Sequence, residues 1–189
     1  PKQVNIYLDK WETLKDYVSQ ENSLRKLFTQ TYPLNVEMDE VLIKVCSLND
    51  FYSTNIYSPF PVAEHIVNLG IDERLSEPDL SLINDIARVS FQEGKSRNCY
   101  SFATKYCSHH FPELYPIYDS YVDKMLRHFR NVDKFSKFKN DDLKNYHEYC
   151  KVIRHFTKFY KLEDYTVKQI DKYLWLAGKQ YFPKQTREK

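Results

Sequence analysis

Apolar residues that recur every three or four positions are the feature that most limits what this chain can fold into. Between Cys99 and His110 the apolar and aromatic positions follow one another at intervals of 3, 1, 3, 1 and 3 residues, which places them on one side of an α-helix. The chain holds only 3 glycines, too few for a fold rich in β-hairpins or for a glycine-rich phosphate loop. The sequence therefore predicts an all-α fold.

Proline, glycine and capping residues predict where several helices begin and end. Pro61 is expected at the first position of a helix and Gly70 just after its end, the usual asymmetry of these two residues. Ser96 is expected to cap the central helix, and Thr166 opens a capping box before the last one. Gly178 is expected to stop that last helix. No pair of strands is predicted.

The length of the chain predicts its domain organisation. A chain of 189 residues suits one domain with two helical lobes. Residues 1–182 are predicted to form this domain, and residues 183–189 a disordered tail. No stretch approaches the ~18 apolar residues of a membrane span, and no signal-peptide pattern is visible. We therefore expect a cytoplasmic protein with no membrane partner.

The cysteines predict a reducing compartment and no metal site. The four of them contain no CxxC pair, so free and mostly buried thiols are expected. Cys99 and Cys107 are spaced about 12 Å apart along one helix face, too far for both to bind one tetrahedral ion. We expect neither a metal nor a small-molecule cofactor.

Charge is unevenly distributed along the chain, although its formal net value is only +2. Residues 1–123 carry 11 Lys/Arg and 18 Asp/Glu, whereas residues 124–189 carry 17 and 8. A basic segment of this kind attracts polyanions such as DNA. The alternative is that these charges lie on ordinary solvated helix faces.

A pattern in the centre of the chain resembles the helix-hairpin-helix DNA glycosylase superfamily, with its 8-oxoguanine glycosylase-like fold. Its parts are the turn Gly94-Lys-Ser-Arg97, the helix that reaches His110, and the segment Pro116-Ile-Tyr-Asp119-Ser-Tyr-Val122. In that family a glycine-containing turn joins two helices, and a short loop then delivers an aspartate at the start of a third. The resemblance spans roughly residues 38–178, with degenerate motifs.

The resemblance implies a function and a set of residues. Asp119 would be the catalytic carboxylate that stabilises the cation-like sugar while an N-glycosidic bond breaks. The turn would hold the DNA backbone without reading its sequence; its DNA-binding residues would be Gly94, Lys95, Ser96 and Arg97. The flipped base would enter a pocket lined by Asn49, Tyr52, Tyr118 and Tyr121.

The sequence departs from the family at the turn. It has Gly94 alone where the family has two glycines and a proline, and Lys95 stands beside that glycine rather than at the start of the next helix. The resemblance makes Lys95 a candidate catalytic residue, because bifunctional members of the family use a lysine just after the turn. Since Lys95 departs from that position, water attack by a monofunctional enzyme is the expected reaction. The substrate is expected to be duplex DNA rather than a single strand.

Several alternatives remain open at this point. Asp119 could be a plain helix N-cap, Lys95 and Arg97 plain surface charges, and Tyr118 and Tyr121 core residues. Two other classes of protein fit the same chain. One is a non-catalytic nucleic-acid-binding module, and the other is a helical interaction protein of a defence or regulatory system.

Overall fold

The fold is described from a computed structural model, which covers residues 1–77, 79–91 and 96–183. Most of these residues are helical, so the predicted all-α class is confirmed apart from one small sheet. The chain divides into two compact units. Unit 1 combines Pro1–Leu14 with the residues from Tyr118 onward, and unit 2 contains Lys15–Ile117.

Unit 1 is built around the last long helix. Its elements are α1 (Lys2–Thr13), α8 (Ser120–Asp133), a 3-10 turn (Asn140–Lys144), α9 (Tyr146–Phe159) and α10 (Val167–Tyr181). Helix α10 packs against both α8 and α1. Aromatic rings fill much of this core, for example Tyr7 against Tyr173 and Phe129 against Phe156. Burying such large side chains supplies most of the driving force for this packing.

Unit 2 contains the remaining elements. They are α2 (Lys15–Lys26), a π-helical turn (Leu27–Thr31), α3 (Met38–Tyr52), α4 (Pro59–Leu69), α5 (Asp72–Ser76), α6 (Leu82–Ala87), β1 (Arg88–Ser90), β2 (Ser96–Asn98) and α7 (Tyr100–His110). Helix α7 packs on α2, α3 and α6. Ten of its residues are buried, including polar ones, so α7 is the central helix of the unit.

The structure corrects the predicted start of the central helix. Ser96 was expected to be its N-cap, but Ser96 pairs with Ser90 in an antiparallel two-stranded sheet. Helix α7 begins four residues later, at Tyr100, with Cys99 as its N-cap. Val89 is fully buried, and burying this side chain favours the extended pairing over a longer helix. Gly94 and Lys95 lie outside the described residues.

Of the other predicted helix boundaries, two are confirmed and two are wrong. Gly70 ends α4 in the left-handed conformation, as expected, and Thr166 forms the predicted capping box with Gln169. The predicted start at Pro61 is wrong, because Pro59 already occupies the first position of α4. The expected stop at Gly178 is wrong, because α10 continues to Tyr181 and Gly178 lies buried within it. All but the first residue of the predicted 183–189 tail lie outside the described residues.

The cysteines agree with the prediction of free thiols. All four lie in the described part of the chain and none is disulfide-bonded; Cys46 is exposed and the other three are buried. Within residues 1–77, 79–91 and 96–183, no helix is long and apolar enough to cross a membrane.

Candidate active site

Asp119 lies at the start of α8, where the sequence placed it. Its backbone is extended (φ −142°, ψ 156°), and its Oδ1 accepts a hydrogen bond of 2.9 Å from the backbone N–H of Tyr121. The carboxylate is therefore the N-cap of an amphipathic 14-residue helix and lies at the positive end of the helix dipole. The side chain is partly exposed, so it is both fixed in orientation and accessible to solvent.

Tyr118 is held beside Asp119 by an ion pair between the buried Asp123 and the partly exposed Arg127. Its hydroxyl donates to Asp123 Oδ1 at 3.2 Å, and Asp123 Oδ2 lies 2.6 Å from the guanidinium of Arg127. Burial, together with the nearby Asp123 charge, raises the pKa of Tyr118. The phenol therefore stays protonated around neutral pH and acts as a hydrogen-bond donor of fixed orientation next to the carboxylate.

Tyr121, the second predicted pocket tyrosine of unit 1, is positioned by close helix packing. A Cβ built on Gly178 of α10 would lie 2.7 Å from both the Cβ and the carbonyl oxygen of Tyr121. Only glycine allows α10 to approach α8 this closely. Tyr118, Asp119 and Tyr121 thus occupy one end of α8, and all three are partly exposed.

In unit 2, Asn49 shapes the loop between α3 and α4. Its side chain accepts hydrogen bonds from Ile56 N and Thr54 Oγ1, both at 2.8 Å, and donates to Ile56 O at 3.0 Å. Ser53 and Asn55 in this loop have positive φ values of 49° and 61°, a conformation that costs free energy for residues other than glycine. Asn49 therefore stabilises this strained loop.

Arg97, a predicted DNA contact, lies next to this loop. Its guanidinium donates to Asn55 O at 2.7 Å and its Cζ lies 5.3 Å from the centre of the Tyr57 ring. The Tyr57 side chain is 83% exposed. An arginine over an exposed tyrosine offers both a cation and a stacking face, which is a combination that nucleic-acid-binding surfaces use.

A buried lysine is the feature that the sequence analysis missed. Lys105 of α7 is only 1% exposed; its Nζ donates to Ser101 Oγ at 2.6 Å and lies 5.4 Å from the centre of the Tyr52 ring. The Tyr52 hydroxyl is 3.1 Å from His109 Nε2. We call Tyr52, Ser101, Lys105 and His109 the lysine cluster. The predicted pocket residue Tyr52 thus belongs to a polar cluster whose other members were not predicted.

The lysine cluster has the composition of a reactive site. Ser101 and Tyr52 are partly exposed, whereas Lys105 and His109 are buried. Lysines buried in this way serve as nucleophiles or bases more often than surface lysines do. The signal available in the sequence was a lysine that is the only Lys, Arg, Asp or Glu of an 11-residue helix.

A second buried polar cluster in unit 2 has a structural role. Asn35 donates to both carboxylate oxygens of Asp72, and its Oδ1 accepts from Lys44, Tyr106 and His110 at 2.7, 2.6 and 3.2 Å. Burial lowers the pKa of Lys44 to about 8 and that of His110 to about 3. Because the donors and acceptors are matched, this cluster fixes the loop before α3 to α7.

The part of the chain that the structure describes contains no group of three or more His, Cys, Asp or Glu side chains arranged to hold a metal ion. The groups available for chemistry are therefore a carboxylate and phenols in unit 1, and an amine, a hydroxyl, a phenol and an imidazole in unit 2.

These features define a mostly helical protein of two compact units, with a capped carboxylate at the start of α8 and a buried lysine in α7. The chain belongs to the HI_0787_N family, whose model is described as an N-terminal domain and matches residues 3–114. An uncharacterized protein of Haemophilus influenzae is 45% identical over 148 residues, which cover 78% of this chain and 70% of that protein. No solved structure matches. The matched family region includes the lysine cluster and ends before Asp119.

Proposed function

We propose that this protein is a DNA glycosylase-like enzyme that excises a damaged or modified base, with Asp119 as its catalytic carboxylate. The observation that carries the proposal is the geometry of Asp119, whose extended backbone and bond to the Tyr121 amide fix the carboxylate at the start of α8. A fixed carboxylate can stabilise a cation-like sugar and orient an attacking water. Tyr118 lies beside it and donates its single hydroxyl proton to Asp123, so its oxygen would accept a hydrogen bond from the leaving base.

The charge of unit 1 supports DNA as the partner. Residues 1–14 and 118–189 carry 19 Lys/Arg and 12 Asp/Glu, whereas residues 15–117 carry 9 and 14. The positive unit is therefore the one that contains Asp119. The affinity of such a unit for the DNA backbone does not depend on the DNA sequence, and it decreases as the salt concentration rises.

Unit 2 would contribute a second contact with DNA. In this proposal the helix-hairpin-helix element consists of α6, the β1–β2 pair and α7, with short strands where the resemblance implies a tight turn. Arg97 would contact the backbone, while exposed Tyr57 would stack on a base. Lys95 and Gly94 remain proposed backbone contacts.

The reaction we favour is monofunctional attack by water. Lys105 is a candidate reactive amine, because it is buried beside the Ser101 hydroxyl and the Tyr52 ring. If the enzyme also cleaved the strand through an imine, Lys105 and Lys95 would be the two amines to compare. In the monofunctional reaction, Lys105 would hold the Ser101 hydroxyl and the Tyr52 ring in place without forming a bond to the substrate.

The test uses duplex oligonucleotides that carry a panel of damaged and modified bases, followed by alkali cleavage at abasic sites. We expect a product with at least one of these bases, and about a hundredfold or greater loss with Asp119→Asn. Asparagine is also a good N-cap, so this variant keeps the helix start while removing the charge. Asp141→Asn, at a side chain that is 93% exposed, is the matched control and should retain activity.

Borohydride reduction separates the two reaction types. A monofunctional enzyme gives no covalent adduct with DNA. An imine would be reduced to a stable adduct, and that adduct would be absent from whichever variant, Lys105→Gln or Lys95→Gln, lacks the reacting amine. Failure to form product from any base, with salt-sensitive binding that is equal in wild type and Asp119→Asn, would favour the non-catalytic binding module. Absence of both product and binding would exclude the nucleic-acid proposal and favour a protein partner.

A further inference from the structure

A row of aromatic rings on unit 1 is covered by lysines. The Trp11 and Trp175 ring centres lie 5.8 Å apart, and the Tyr121 and Trp175 centres lie 6.4 Å apart. Each ring has an ammonium group near its face: Lys172 Nζ is 5.1 Å from Trp11, Lys179 Nζ is 4.6 Å from Trp175, and Lys124 Nζ is 5.9 Å from Tyr121. We call these six side chains the aromatic–lysine row.

The row is not part of a sealed core. All three aromatic side chains are partly exposed, as are Lys172 and Lys179, and Lys124 is exposed. The rings come from three different helices, α1, α8 and α10, which pack together within unit 1. Gly178 lets α10 approach α8 at Tyr121, so the spacing of the row depends on a residue that has no side chain.

The pairing of aromatic and cationic groups indicates what the row can bind. A base stacks on an aromatic face whatever its sequence, and here it would displace the flexible lysine from that face. The displaced ammonium groups would then contact the phosphates on either side. A paired duplex hides the faces of its bases inside the stack, so only unpaired nucleotides can use the rings. The net positive charge of unit 1 favours the same polyanion.

We propose that the aromatic–lysine row binds unpaired nucleotides of a locally opened DNA strand. This inference rests on the proposed function for its biological setting, since excision requires a base to leave the duplex. The row begins next to the candidate carboxylate, because Tyr121 supplies both a ring of the row and the amide that binds Asp119. Nucleotides that flank the excised base would stack on the row while the duplex is open.

The two tryptophans of the row are the only tryptophans in the chain, so intrinsic fluorescence reports directly on this surface. We would titrate the full chain with oligo(dT), with the matching oligo(dT)·oligo(dA) duplex, with a duplex containing an unpaired bubble, and with heparin. The proposal predicts that oligo(dT) and the bubble quench the fluorescence strongly. The paired duplex and heparin, an anion without bases, should quench it weakly even where they bind.

Ring variants test stacking separately from charge. Trp175→Phe keeps an aromatic face and should retain affinity for oligo(dT) within a few-fold. Trp175→Leu removes the face and should weaken binding by about 5- to 150-fold, the effect of losing one stacked base; Trp11 still reports the binding. Equal affinities for Trp175→Phe and Trp175→Leu would contradict the proposal.

Lysine variants keep the test valid if Trp175→Leu fails to fold. Lys172→Gln and Lys179→Gln should each reduce the salt dependence of oligo(dT) binding by roughly 0.7 in log–log slope. Lys144→Gln is the matched control, because its ammonium group lies near Asp141 and its side chain is 64% exposed. If all three substitutions reduced this slope equally, the strand would bind to another surface of unit 1, and the proposal would be overturned.

The outcomes separate this inference from the proposed function. Excision of a base without quenching by oligo(dT) would overturn the inference and leave the glycosylase proposal intact. Quenching that depends on Trp175, with no excision of any base, would support the row and overturn the glycosylase. Equal quenching by heparin and oligo(dT) would contradict stacking and identify the row as a general anion surface.

Discussion

Replacing Lys44 by methionine should measure how much the burial of its charged ammonium group lowers the free energy of unfolding. Lys44 is fully buried, its Nζ donates to Tyr32 O, Leu34 O and Asn35 Oδ1 at 3.0, 2.7 and 2.7 Å, and burial lowers its pKa from 10.5 to about 8. A shift of one pKa unit corresponds to 1.36 kcal/mol. The folded state therefore disfavours the charged form by about 3 kcal/mol relative to the unfolded chain.

The direction of the pH effect follows from proton binding. Between pH 8 and 10.5 the unfolded chain keeps a proton on Lys44 that the folded chain has released, so this residue makes the free energy of unfolding rise with pH. From about pH 7 to about pH 9.5 its contribution rises by roughly 2 kcal/mol. Buried thiols and phenols such as Cys107 and Tyr106, whose pKa values burial raises, act in the opposite direction above about pH 8.5.

The comparison of wild type with Lys44→Met removes these opposing contributions, because both proteins share them. We expect the difference in unfolding free energy, wild type minus variant, to increase by about 2 kcal/mol between the two pH values. Urea unfolding followed by far-ultraviolet circular dichroism measures it, with Lys144→Met as a control for the loss of one lysine. A difference that stays constant to within about 0.5 kcal/mol would refute the argument that burial penalises the Lys44 charge.

Two further predictions concern packing and reactivity. Gly178→Ala should destabilise the protein by about 1–3 kcal/mol, because its methyl group would meet Tyr121 Cβ at 2.7 Å; an unchanged thermal midpoint would contradict this close approach. A disulfide reagent should react quickly with the exposed Cys46 thiol in the folded protein. It should reach the other three thiols only after unfolding, since burial raises the pKa of Cys107 and raises that of Cys150 to about 11. Rapid modification of more than one thiol would contradict their burial.

Local signals were predicted well. Thr166 and Gly70 act within one turn of their own helix, and Asp119 caps the helix that immediately follows it. Capping depends on residues only two to four positions apart, which a sequence displays directly. The helical class follows for the same reason, because the apolar period is a property of neighbouring positions.

The predictions failed at residues whose conformation depends on contacts with residues that are distant in the sequence. Ser96 has the chemistry of an N-cap, yet pairing with Ser90 and the burial of Val89 place it in a strand. Gly178 looks like a helix stop, yet it lies inside α10, where a glycine is needed because Tyr121 of α8 occupies the space where a side chain would be. In both cases a tertiary contact outweighs the local preference.

The sequence by itself determined the helical class, several helix ends and the position of Asp119 before α8. Only the tertiary structure decided which polar groups are buried together: Asn35 meets Asp72 and Tyr106 across separations of 37 and 71 residues, and Lys105 is buried beside Ser101 and Tyr52. The physical reason is that helix formation is governed by contacts within one turn. Desolvation of a lysine, or the edge-to-face contact of two tryptophans, depends instead on the surrounding elements.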